Sequence, residues 1–165
     1  MLLRVAPSTV KPVDFLRDLR VRGRFAQGVD SMLQNKVVAR YRDGRILKGY
    51  TGNFAPDRPN FHLVLSDAPK EARAVEVQIA ELKAVFFVKS FAGDPQHSDA
   101  QRFEEGKTTV GRKIQVVFED GETLVGTTQG YDPNRPGFFI KPADSASNND
   151  RCFVVTRATK TISFL

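Results

Sequence analysis

Residues 36–49 read KVVARYRDGRILKG, and residues 113–126 read KIQVVFEDGETLVG. In the first stretch Val37, Ala39 and Tyr41 alternate with Val38, Arg40 and Arg42; in the second, Ile114, Val116 and Phe118 fill the positions of the apolar set. A period of two describes a half-buried antiparallel strand. Both runs end in Asp-Gly, at Asp43-Gly44 and Asp120-Gly121, the pair favoured where a tight hairpin needs positive φ. A second strand follows in each, interrupted by Gly49 or Gly126. Glycine inside a strand marks a sharp bend or the close approach of another backbone.

A shift of 77 residues aligns 36–88 with 113–165 without a gap and gives 14 identities in 53 positions. They include Lys36 with Lys113, Leu47 with Leu124, Phe61 with Phe138, Asp67 with Asp144, Lys83 with Lys160 and Phe87 with Phe164. The pattern predicts a duplicated unit. Each copy reads as five short strands, in the first copy Lys36–Arg42, Arg45–Phe54, Phe61–Leu65, Ala74–Ala80 and Leu82–Lys89. A Pro-rich turn, Ala55–Asn60 or Asp132–Gly137, separates the second strand from the third.

The expected organisation is a basic N-terminal segment over 1–35, a first barrel over 36–90, a linker over 91–112 and a second barrel over 113–165. Helical spacing is confined to Val13–Leu19, which follows Pro12, and more weakly to Val29–Gln34. Units of roughly 60 residues bury only about 60% of their unfolded surface and are marginal alone, so the copies are expected to pack together.

The motif of residues 36–49, followed by Phe61-His62-Leu63-Val64-Leu65-Ser66-Asp67, resembles the first motif of Sm-like proteins, and residues 113–126 repeat it. The resemblance implies a mainly β fold of two tandem five-stranded Sm-like (SH3-like) barrels, with ring assembly and RNA contact through loops as family traits. The chain also resembles bacterial tandem proteins associated with PilZ-type signalling domains, which imply no activity. An Sm-type RNA loop places an Asp and an Asn close together after the second strand. Here Asp57 and Asn60 are separated by Arg58-Pro59, and their counterparts are Asn134 and Gly137.

The chain has 25 Lys plus Arg against 19 Asp plus Glu, a formal charge of +6. Residues 1–48 carry +7 of this and residues 49–165 carry −1. Such a one-sided field suits RNA or another polyanion, an acidic protein or an anionic membrane surface. The longest apolar run, Ala84–Val88, is far below the roughly 20 residues that span a bilayer. No apolar block of signal-peptide length opens the sequence. Cys152 is the only cysteine, which excludes an internal disulfide and points to a reducing cytoplasm. No membrane insertion is expected.

Catalytic chemistry needs a positioned base and a partner. The two histidines are His62, in a strand-like run, and His97, between Asp94 and Asp99. Three such ligands on a connecting segment make a poor metal site, and no phosphate-binding or dinucleotide motif occurs. The reading is a protein that is not an enzyme and uses neither cofactor nor metal.

The candidate partner-binding residues are Arg40, Arg42, Arg45 and Lys48 on the first copy, with Phe54 and Arg58 at its Pro-rich turn and Tyr131 and Arg135 at the equivalent turn. Arginine contacts phosphate, and an aromatic face stacks a base or packs on a peptide. The basic set is replaced in the second copy by Val117, Glu119, Glu122 and Val125, and Phe139 and Val155 extend an apolar pattern. Two functions follow as expectations: a module contacting RNA or another polyanion through the first copy, or a protein-interaction or regulatory adaptor using strand edges and the apolar face of the second. Oligomers, including a ring of three chains, are compatible with either.

Overall fold

A computed structural model describes residues 34–165. The helix expected over 13–19 lies outside the described residues, as does that over 29–34 except for Gln34, which belongs to no regular element. Ten strands follow: β1 Asn35–Tyr41, β2 Ile46–Thr51, β3 Asn60–Leu65, β4 Val75–Gln78, β5 Leu82–Val88, β6 Arg112–Phe118, β7 Thr123–Thr128, β8 Gly137–Pro142, β9 Asn149–Val155 and β10 Thr159–Phe164. Single 3-10 turns, Ile79–Glu81 and Thr156–Ala158, precede β5 and β10.

All ten strands form one antiparallel sheet in the order β10-β6-β7-β8-β9-β5-β1-β2-β3-β4. The two tandem five-stranded barrels expected from the sequence are therefore not present; one open sheet takes their place, with β10 and β4 at its edges. β5 supplies the physical reason. Its seven residues are all buried, and it pairs with β1 along one edge and β9 along the other. Those two pairings leave no edge of β5 on which β4 could close a barrel, and its burial on both faces means that apolar layers pack above and below it. The apolar run Ala84–Val88 was its signature, since strict alternation is lost where neither face meets water.

The alternation of β5 divides the core. Val85 lies opposite Phe153 and Phe86 opposite Cys152. Val85 and Phe87 thus face the side holding Phe54 and Phe153, while Ala84 and Phe86 face the side of Cys152 and Val154. Both layers belong to one buried cluster running from Val37 to Ala158.

β1 and β6 share one burial pattern, with Val37, Ala39 and Tyr41 buried in one and Ile114, Val116 and Phe118 in the other. Gly44 and Gly121 take φ of 92° and 87° in the hairpin turns. There Asp43 Oδ1 accepts the Arg45 amide and Asp120 Oδ1 the Glu122 amide, each at 3.0 Å. Gly49 and Gly126 serve close approach: a Cβ would stand 2.2 Å from the Val64 carbonyl oxygen or 2.1 Å from that of Lys141.

Three polar contacts fasten the halves beside the β5–β9 seam. Lys83, 4 % exposed, donates to Asp120 Oδ2 at 2.5 Å and to Glu122 Oε2. Its ammonium lies 4.5 Å from the Phe118 ring centre. Arg40 reaches Glu122 at 3.0 Å.

Candidate functional site

Arg40 and Lys48 share one face of the β1–β2 pair, but most of the basic residues singled out in the sequence are held by neighbours. Arg40 is committed across the seam to Glu122 and also stands over the Phe86 ring. Arg45 pairs with Asp43 at 2.7 Å and with Glu81 at 3.9 Å, and covers the Tyr41 ring. Lys48 donates to the Phe91 carbonyl at 3.2 Å. Arg42 is exposed and lines a cavity of about 600 Å³ shared with Glu81, Lys83 and Asp120. Arg58 is exposed in its turn, and Arg135 pairs loosely with Asp132 at 3.6 Å. Acidic neighbours thus accompany much of the basic set.

The two aromatic positions differ more sharply. Phe54 meets Phe61, Phe87, Phe139 and Phe153 edge-on, with ring centres 5.1 to 6.1 Å apart. It plugs the seam between the halves and is half-buried there. Tyr131, at the matching turn, meets Phe138 at 4.9 Å and Phe164 at 5.4 Å. The apolar pattern of the second half is largely covered as well: Val125 and Val155 are buried, and Phe139 and Val117 half-buried.

Among the described strands the outer edges of β4 and β10 remain open, and of the two it is β10 that is bordered by exposed large apolar side chains. This strand pairs with β6 on one side, and no described strand pairs with the other. The Leu165 amide donates inward to the Lys113 carbonyl at 3.1 Å. Strand alternation then turns the amides of Ile162 and Phe164 to the open side. Phe164 is 39 % exposed and Leu165 63 % exposed. Arg112 lies 3.7 Å from the centre of the Phe164 ring. Ile162, Phe164 and Arg112 were missed as site residues, although the identity of Phe164 with Phe87 at the 77-residue shift pointed to their place.

The two histidines have structural partners. His62 is held by Asn53, whose side-chain nitrogen stands 2.9 Å from Nδ1. Asp94, His97 and Asp99 do not converge; Asp144 replaces Asp94. The ligand-type atoms of His97, Asp99 and Asp144 lie within 4.8 Å of one another. They are committed to a clasp that ties residues 91–111 to the β8–β9 connection: His97 Nε2 is 2.9 Å from Asp144 Oδ2, which also accepts the Ala100 amide at 2.8 Å. Ser147 Oγ donates to Asp99 at 2.7 Å. Backbone donors, chiefly the Ala100 amide, hold the Asp144 carboxyl below the usual range. Cys152 is fully buried, and burial pushes its thiol far up, which makes it inert as a nucleophile.

Residues 33–165 match the Family of unknown function (DUF6982), and the chain belongs to that family. No curated protein and no solved structure matches it. Among the described residues no helix is long and apolar enough to cross a membrane.

Proposed function

We propose that the chain is a non-enzymatic protein-binding module of the cytoplasm that accepts an extended segment of another polypeptide along the open edge of β10. One observation carries the reading. β5 and β10 follow the same 77-residue correspondence, yet β5 is sandwiched between two strands while β10 has a neighbour on one side among the described residues. Unpaired strand amides bordered by exposed apolar side chains form a template for strand addition. A polyanion reading is less well supported, because Arg40 and Arg45 are paired with carboxylates and Phe54 is half-buried against the rings of the seam.

Titration of labelled protein with a panel of extended peptides and with mixed single-stranded RNA tests this. Peptide binding that shifts the Ile162 and Phe164 amide resonances and persists at about 200 mM salt is expected. RNA binding that weakens by orders of magnitude between about 50 and 200 mM salt, with no peptide binding, overturns it.

A further inference from the structure

The seam inside the sheet shows what a β10 partner must look like, given that β10 is an acceptor edge as proposed above. At the 77-residue shift Tyr131 stands for Phe54, Phe138 for Phe61, Ile162 for Val85 and Phe164 for Phe87. Phe54 has four aromatic neighbours: Phe61 and Phe87 from its own half, and Phe139 and Phe153 from the other. Tyr131 has the counterparts of the first two, Phe138 and Phe164. The seats filled at the seam by Phe139 and Phe153 have no described ring beside Tyr131.

The register says which partner residue reaches such a seat. β9 runs antiparallel to β5 with Phe153 opposite Val85 and Arg151 opposite Phe87. A strand laid on β10 in the same register therefore puts its Phe153 equivalent opposite Ile162, against Tyr131 and Phe164. Two residues earlier it meets Phe164. At the seam that place belongs to Arg151, whose guanidinium lies 4.5 Å from the Phe87 ring centre. On β10, Arg112 of the inner neighbour β6 already lies 3.7 Å from the Phe164 ring centre. A second cation there would meet the first, whereas a neutral or acidic residue would not.

We infer that the partner is an extended segment of a different protein, bearing an aromatic residue opposite Ile162 and a neutral or acidic residue opposite Phe164. A second copy of this chain fits poorly. Its free edge strand, β4, carries Glu76 where β9 carries Phe153, so self-association would set a carboxylate against the Tyr131 cluster.

The test uses the full chain and synthetic peptides with the sequence of residues 149–155 carrying R151E, with and without F153A. The aromatic peptide is expected to perturb the Ile162 and Phe164 amides and to bind about tenfold more tightly than its alanine version, the scale of lost aromatic contacts. Y131A should cause a similar loss while leaving β1 and β5 resonances in place. Equal binding of the two peptides overturns the aromatic requirement and leaves the edge reading standing. Failure of these and of all panel peptides to bind overturns both. Mass that rises with concentration and is abolished by I162P would assign the edge to a second copy and contradict the inference.

Discussion

Phe87 and Phe164 stand at equivalent places 77 residues apart, yet Phe87 is 4 % exposed and Phe164 39 %. The difference is the strand beyond. Phe87 has β9 alongside, with Arg151 and Phe139 over its ring; Phe164 has the Arg112 guanidinium and Tyr131. One half of the sheet shows a completed interface and the other an open counterpart.

Phe54 is a structural residue in this account. F54A should destabilise the chain by about 2–4 kcal/mol, as removal of a largely packed aromatic does, read as a lower urea midpoint. It should leave peptide binding at β10 unchanged. A near-neutral F54A would contradict the seam packing.

Seam electrostatics give a pH dependence. The Lys83 hydrogen bond holds Asp120 below the usual carboxylate range. For Glu122, burial pushes the carboxyl up, but the Lys83 hydrogen bond and the Arg40 and Lys83 charges outweigh it and the net shift is downward. Depressed folded-state values mean that this contribution is complete above the unfolded carboxylate range of about 4 and is lost as pH falls through the folded values. K83M should therefore flatten the acid limb of a stability–pH curve. An acid limb identical to that of the parent would contradict the coupling.

Two glycines with the same side chain should answer differently. At Gly126 a Cβ would collide with the Lys141 carbonyl oxygen at 2.1 Å, while at Gly130 nothing lies within 4 Å. G126A should cost about 2 kcal/mol or more through forced backbone shift, and G130A should stay within about 0.5 kcal/mol. Thermal unfolding of the pair checks this; similar midpoints would refute the close crossing of β7 and β8.

Cys152 should resist thiol reagents until the sheet opens, since it is fully buried beside Phe86. Labelling with an aromatic disulfide should track unfolding across a urea titration. Fast labelling of the native chain would place the β9 face in solvent.

Much of the strand content was legible in the sequence. Val37–Tyr41 and Ile114–Phe118 alternate cleanly, and the Asp-Gly pairs mark their turns, because local sterics and one-sided burial leave a direct imprint on residue order. Closure was not legible in that way. Whether the second edge of Leu82–Val88 closes on Val75–Gln78 of its own half or meets Asn149–Val155 depends on pairing between distant segments, which no local pattern records. The seam roles of Arg40 and Phe54 were hidden for the same reason: each was read within its own copy, while the partners, Glu122 and Phe153, lie in the other. Asp144, which completes the clasp with His97, stands 47 residues away from it.

Residue-resolved amide hydrogen exchange on the free chain tests the central asymmetry most directly. Val85 and Phe87, equivalent to Ile162 and Phe164 but with amides facing β9, should exchange only on global opening, whereas Ile162 and Phe164 should exchange orders of magnitude faster. Matching protection at all four amides would show that β10 is already paired and would contradict the open edge.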